Sequence, residues 1–185
     1  GCSARPIRTF ARLTLSKPAR SRHLSRELAA CNFPGGAVNY ARLNIELINT
    51  GSELLLGAVL NTHQLWLCRQ LANLGYTVTR QVTIPDSAET IRQAVAEALG
   101  RAEVVITTGG LGPTADDLTR DAIAELLGAP LFEDASVRAG IEQFFSERKR
   151  PLPPKSRVQA LVPEGAIVLP NSCGTAPGLV MEIRP

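Results

Sequence analysis

The sequence predicts an α/β domain with a mainly parallel sheet covered by helices on both faces, and three features carry that reading. Strand-like and helix-like segments alternate from residue 44 onward. The third strand segment, residues 103–108, is almost wholly apolar, as expected where both faces of a sheet are covered. Each of the first three helical segments carries one apolar stripe and ends at a glycine. At 185 residues, 44% hydrophobic and 20% charged, with a mean hydropathy of +0.04, the chain has the composition of a soluble globular domain able to bury its own core.

Residues 44–49 alternate as a strand, which Thr50-Gly51-Ser52 breaks. From Thr62, the residues Leu65, Cys68, Leu71 and Ala72 keep a helical period that Gly75 stops as a C′ residue. Residues 76–84 form the second strand, closed by Pro85, and Ser87 is placed to cap a helix whose apolar face is Ile91, Ala94, Val95, Ala98 and Leu99. Beyond the third strand, Asp117 or Thr119 opens a helix carrying Ala122, Ile123, Leu126 and Leu127, ended by Gly128. Asp134 caps a further helix with Val137, Ile141 and Phe144 on it, and residues 148–154 form a stiff basic linker with a solvated surface. Residues 166–169 and 179–183 are two more strands around the segment 171–178.

The net charge of +3 is unevenly spread. Residues 1–43 hold eight Lys/Arg against Glu27 alone, a balance of +7, and the remaining twelve Lys/Arg face sixteen Asp/Glu, a balance of −4. Residues 1–43 therefore read as a disordered basic extension, similar in composition to an organellar transit peptide, and residues 44–185 as the domain. The acidic domain keeps no basic face with interleaved aromatics, so a specific nucleic-acid partner is not expected. No apolar stretch reaches the ~20 residues of a membrane-spanning helix, so no membrane partner is expected either. Cys2, Cys31, Cys68 and Cys173 lie far apart without Cys-x-x-Cys spacing, which argues against zinc and a disulfide framework and points to a reducing, cytoplasmic compartment.

In a parallel α/β sheet, ligands collect beyond the carboxyl ends of the strands where strand order reverses. Three segments reach that edge: Thr50-Gly51-Ser52-Glu53, Pro85-Asp86-Ser87, and residues 107–119, which contain Gly109, Gly110 and Gly112. Three glycines in four positions let backbone N–H groups approach an anion, with Thr108, Thr114 and Thr119 adding hydroxyls and a helix N-terminus alongside. Asp116 and Asp117 would repel a phosphate unless a divalent cation lay between; hard oxygen ligands point to Mg²⁺ or a similar ion. The plainer alternative is that Asp116 or Asp117 caps the following helix and that Glu53 is a solvated carboxylate. Gly110-x-Gly112-x-x-Ala115 is a weak dinucleotide fingerprint, since it follows the third strand and contains Pro113, and no P-loop motif exists. His63 in a first helical turn and Cys173 in a glycine loop are poor nucleophile or base candidates, and Cys68 is most simply a buried thiol.

Residues 50–57 (TGSELLLG), Asn61-Thr62, residues 107–120 (TTGGLGPTADDLTR) and Asn171 with Gly174-Thr175-Ala176-Pro177-Gly178 resemble the N-terminal domain of the CinA (competence/damage-inducible) family, with its MoaB/MogA-like molybdopterin-binding fold. The resemblance covers residues 44 to about 183 and implies a three-layer α/β/α domain, a homo-oligomer, and metal-dependent hydrolysis of the diphosphate of ADP-ribose to AMP and ribose 5-phosphate. It carries a catalytic and metal-binding role to Asp86 and Asp117 and a phosphate-cradling role to Gly109, Gly110 and Gly112, with Glu53 placed for a second ion or for orienting water. Thr50, Gly51, Ser52, Thr108, Thr114, Asp116, Thr119, Asn171, Gly174 and Thr175 complete the expected substrate site. The alternative is a non-catalytic module that holds a pterin or a nucleotide. Ser52 stands where many members have Asp, and the family's Leu-Pro-Gly-x-Pro-x-Glu-Met loop would follow Pro185, so the domain is expected to be incomplete at its C-terminus; the family's nicotinamide-mononucleotide deamidase domain and its activity are not expected here.

Overall fold

The computed structural model describes residues 8–12 and 43–183. Its main sheet has six strands in the order β3-β2-β4-β1-β8-β7. These are β1 (Arg8–Arg12), β2 (Ile45–Thr50), β3 (Val78–Ile84), β4 (Val104–Thr108), β7 (Ile167–Leu169) and β8 (Gly178–Ile183). β3, β2, β4 and β1 run parallel, β8 runs antiparallel beside β1, and β7 pairs antiparallel with β8 at the edge. A second, two-stranded antiparallel sheet joins β5 (Leu131–Glu133) to β6 (Leu161–Pro163). The helices are α1 (Ser52–Leu55), α2 (Thr62–Asn73), α3 (Ala88–Leu99), α4 (Thr119–Leu126) and α5 (Ala135–Glu147), with a 3-10 turn over Pro154–Ala160.

Side-chain alternation along β2 divides the core into the two outer layers. Ile45 and Leu47 join Ile106 of β4 and Leu67 of α2 on one face. Ile48 joins Val105 with Ile91, Val95 and Ala98 of α3 and Ala122 and Ile123 of α4 on the other. The domain is thus the three-layer α/β/α arrangement expected. A register shift between Ile45 and Glu46 turns β3 over, so that Val78 packs with the α2 layer and Ile84 with the α3 and α4 layer. A satellite cluster of Val137, Ile141, Ala160, Val162 and Leu179 seats α5.

The helix ends follow the sequence closely. Gly75 and Gly128 take positive φ of 86° and 62° just past α2 and α4, where a residue with Cβ would be strained. Asp134 caps α5 by accepting from Ser136 N and Val137 N at 2.8 and 2.9 Å. Ser87 stands at the N-cap of α3, but its side chain makes no cap hydrogen bond. In the basic linker, the Arg148 guanidinium stacks 3.6 Å over the Phe144 ring and the exposed charges face solvent.

One expectation is corrected. Arg8–Arg12, assigned to a disordered extension, is a strand that pairs with β4 on one side and β8 on the other. Strand pairing is made by backbone groups, and a segment whose one large apolar residue is Phe10 has no hydrophobic pattern to announce it. The rest of residues 1–43, apart from Leu43, lies outside the described residues.

The sequence also did not reveal Glu46, which is 2% exposed on the central strand. Arg101, just past α3, grips it with Nε on Oε2 at 3.0 Å and Nη2 on Oε1 at 2.8 Å, and Arg80 Nε lies 3.5 Å away. Breaking such a pair from the cationic side strands a buried charge, whereas replacing the acid with an apolar residue does not. Arg101→Ala should therefore lower the melting temperature by roughly 5–10 °C, and Glu46→Leu by clearly less, in thermal unfolding followed by circular dichroism. The Asp134 carboxyl is held below the usual carboxylate range by the Ser136 hydroxyl first and then by the backbone N–H groups it caps. Its contribution is complete above the ordinary carboxyl pKa and is lost as pH falls through the lowered value. Urea titrations should show Asp134→Ala costing about 1 kcal/mol at neutral pH, with the difference from the parent vanishing in strong acid.

Candidate functional site

β2 lies between β3 and β4, so the chain passes from it to β3 on one side and then to β4 on the other. That reversal opens a crevice at the strands' carboxyl ends. Gly51 N donates to Ile84 O at 3.1 Å, which draws the loop after β2 against the end of β3. Asp86 completes the junction: its Oδ2 accepts from Ser52 N at 2.9 Å and Ser52 Oγ at 3.2 Å, at the start of α1. The Glu53 carboxyl folds back beside Gly51, within 2.8 Å of where a Cβ on that glycine would stand.

The loop after β4 is closed by contacts that only glycine permits. A Cβ on Gly109 would stand 2.4 Å from both Thr50 O and Thr50 Oγ1, and one on Gly110 would stand 2.1 Å from Thr119 Oγ1. One on Gly112 would stand 2.4 Å from Asp117 Oδ2. Gly109 and Gly110 also hold positive φ, 94° and 62°. The three glycines therefore serve the loop's own packing.

Beneath them runs a buried polar network. Thr50 Oγ1 donates to Thr108 O at 3.1 Å and lies 3.3 Å from Thr119 Oγ1, while Thr108 Oγ1 donates to Asn49 Oδ1 at 2.9 Å. Asn49, fully buried, turns its amide to Val82 O and Gln64 Oε1 at 3.2 and 3.3 Å. The ends of β2, β3 and β4 and the start of α4 are thereby locked together, and Thr50, Thr108 and Thr119 of the expected site belong to this lock.

Asp117 does not cap α4. The N-cap of that helix is Leu118, with no side-chain cap hydrogen bond, whereas Asp117 Oδ2 accepts from Thr114 N at 2.9 Å and Thr114 Oγ1 at 2.5 Å, back within its own loop. Asp116 is exposed, its carboxyl held below the ordinary range by hydrogen bonding to Thr114 and then to the backbone. No hydrogen bond joins Asp86 to Asp117, and among the described residues no group of three or more His, Cys, Asp or Glu side chains is disposed to hold a metal ion.

The remaining predicted residues sit on the far side of the loop. Asn171 braces its own turn, donating to Ala176 O at 2.8 Å and accepting from Cys173 N at 2.9 Å. Thr175 Oγ1 donates to Gln159 Oε1 at 2.9 Å, and Gln159 Nε2 reaches Leu111 O at 3.5 Å, so the 171–178 turn that contains Gly174 is tied to the glycine loop through a buried glutamine. A cleft of about 370 Å³ is lined by Gly112, Thr114, Asp117, Arg120, Lys155 and Val158 among others. Arg120 is 7% exposed, donating from Nη1 to Val158 O at 2.5 Å and from Nη2 to Asp121 Oδ2 at 2.6 Å. Asn49, Arg120, Lys155 and Gln159 are the neighbours of the site that sequence reasoning did not single out. Cys68 is half-buried, its thiol pushed up by burial, and Cys173 is exposed. Among the described residues no helix is long and apolar enough to cross a membrane.

Residues 46–184 match the protein family described as "Probable molybdopterin binding domain". The chain is 46% identical over 143 residues to a "CinA-like protein" of Nostoc sp., covering 77% of this chain and 34% of that protein. It is 48% identical over 136 residues to a "Putative competence-damage inducible protein" of Symbiobacterium thermophilum, covering 74% of this chain and 32% of that protein. It thus spans about a third of the length of these curated relatives. Among solved structures, CinA from Thermoplasma acidophilum, described as of unknown function, matches with a TM-score of 0.67 at 32% identity, over 75% of this chain and 81% of that one.

Because Gly110 combines a positive φ with no room for a Cβ, Gly110→Ala should destabilise the domain by about 3 kcal/mol in chemical denaturation. Ala at Gly57, which has a positive φ but nothing within 4 Å, should cost about 1 kcal/mol.

Proposed function

The chain belongs to the CinA family and carries its probable molybdopterin binding domain, and from that premise we propose that the crevice binds a nucleotide diphosphate and cleaves ADP-ribose to AMP and ribose 5-phosphate with a divalent ion. The observation that carries this reading is the direction of Asp117. Its carboxylate is held by Thr114 rather than spent on capping α4, which leaves the charge at the mouth of the glycine loop.

As hard oxygen donors, the two carboxylates would suit a hard divalent ion. Asp86 and Asp117 each commit Oδ2 to a neighbouring hydroxyl and N–H and leave the other carboxyl oxygen open. Two carboxylates are not an all-protein cage, and they fit Mg²⁺, which takes one or two carboxylates with the rest of its shell from water and substrate phosphates. Such an ion, when bound, supplies Lewis-acid polarisation of the diphosphate. In this proposal the glycine loop and the uncapped N-terminus of α4 face the diphosphate, with the helix dipole favouring negative charge there. Glu53 orients the water that attacks one phosphorus, and the bridging P–O bond breaks to give the two monophosphates.

The lack of a three-carboxylate cluster among the described residues favours a second reading, in which the same crevice holds a pterin or nucleotide without turnover. Incubating the chain with ADP-ribose, with and without Mg²⁺, separates the two. Metal-dependent release of AMP is expected, falling by about two orders of magnitude or more in Asp117→Asn and in Asp86→Asn at unchanged melting temperature. Full activity in the Asp117 variant would reject the role of that carboxylate. Calorimetric binding of ADP-ribose without AMP release would establish the binding module instead.

A further inference from the structure

The 3-10 turn over Pro154–Ala160 presents distinct faces, because side chains three apart eclipse on such a helix. Ser156 and Gln159 form the inner face, 3% and 4% exposed, where Gln159 donates to Leu111 O and accepts from Thr175 Oγ1. That fixes the rotation of the turn. Lys155 and Val158 then share the face that lines the cleft, together with Gly112, Thr114 and Asp117 of the glycine loop.

The cleft has two cations, and their situations differ. Arg120 is buried and committed, with Nη1 on Val158 O at 2.5 Å and Nη2 on Asp121 Oδ2 at 2.6 Å. It fastens the turn to α4 and neutralises Asp121, which also lines the cleft. Lys155 is exposed, and among the described residues its side chain makes no hydrogen bond or ion pair. Its charge is therefore the uncommitted positive charge of the cleft.

We propose that Lys155 is the substrate-binding cation of this site, its ammonium donating to a phosphoryl oxygen and selecting diphosphate-bearing substrates over neutral nucleosides. This rests on the proposed function for the diphosphate and adds the residue that recognises it. A divalent ion held by Asp86 and Asp117 has its charge matched by those two carboxylates, so a doubly charged diphosphate needs positive charge from elsewhere. The start of α4 supplies only the partial charge of a helix dipole. A lysine supplies a full one, as a compact point charge with three donors on a flexible stem. Arg120, fixed at both nitrogens of its fork, acts as the residue that positions the lysine's turn.

Calorimetric titration of the whole chain with inorganic pyrophosphate in the presence of Mg²⁺, together with steady-state kinetics on ADP-ribose, tests this. Lys155→Ala should weaken pyrophosphate binding about tenfold or more and raise KM by a similar factor, with kcat changed far less and the melting temperature unchanged. Lys155→Arg, which keeps the charge, should recover most of the affinity. Arg157→Ala removes an exposed cation of the same turn that does not line the cleft, and should leave the affinity as it was. Equal pyrophosphate affinity in the parent and Lys155→Ala overturns the proposal, as does an equal loss in Arg157→Ala or a parent that binds no pyrophosphate. Lys155-dependent pyrophosphate binding without AMP release upholds the role of Lys155 and rejects turnover. AMP release with KM unchanged in Lys155→Ala does the reverse, overturning that role and leaving turnover standing.

Discussion

Gly109 and Thr50 approach so closely that no side chain fits between them, and the crevice depends on that approach. A Cβ at Gly109 would stand 2.4 Å from both the carbonyl and the hydroxyl oxygen of Thr50. The loops after β2 and β4 can therefore meet only where one of them is bare backbone. Once they meet, the Thr50 hydroxyl reaches Thr108 O and the Thr119 hydroxyl, and α4 begins where the loop leaves it. Gly110 repeats the logic one residue on, against Thr119. A glycine-rich loop at a helix start is commonly taken as a shape for a ligand. Here its shape is first an answer to packing, and any ligand would meet a surface already fixed by it.

Fixing that surface requires polar groups in the middle of the sheet, which a parallel α/β core ordinarily excludes. Asn49 and Glu46 both lie on β2, the strand between β3 and β4, and both are buried. Each is tolerated because its partners are complete: Asn49 has Thr108, Val82 O and Gln64, and Glu46 has the fork of Arg101. Unpartnered, either would cost more than an apolar side chain contributes there. The two divide the strand's length. Glu46 secures its amino end to the chain past α3, and Asn49 secures its carboxyl end at the crevice.

This division explains which parts of the molecule could be read from sequence. The three-layer arrangement, the succession β2, α2, β3, α3, β4, α4 and α5, and the stops at Gly75 and Gly128 follow from periodicity and glycine placement, both local properties. Glu46 could not be read, because on an alternating strand it occupies a polar position that looks like solvent, and only the return of Arg101 across 55 residues makes it core. The β5 and β6 pair and the strand Arg8–Arg12 escaped for a related reason, since short segments are held by backbone pairing that leaves no apolar rhythm. At the crevice, the residues were legible and their mutual packing was not. Thr50, Thr108, Thr119 and the glycines were assigned to a ligand, and the structure adds that they also pack against one another. Gln159 carried no signal at all, as a lone glutamine becomes informative only when Thr175 and the Leu111 carbonyl arrive on its two sides.

The structural duties leave few groups free to do chemistry, and that sharpens the meaning of the aspartates. Asp86 and Asp117 each use one oxygen to steady a neighbouring turn, Asp86 at the start of α1 and Asp117 at Thr114. A carboxylate needed only for such a turn is replaceable by Asn, whose carbonyl accepts the same hydrogen bonds. What Asn cannot supply is charge, and two negative charges at the rim of a loop that closes on glycine are unfavourable for an anion without a cation between them. Where Asn holds both turns as well as Asp does, the two charges are a feature that packing does not need and that a bare phosphate would oppose. Neutral stability on replacement would mean that the charge serves something other than the turn, and under the proposed function a divalent ion held by carboxylates and substrate phosphates would make that charge favourable.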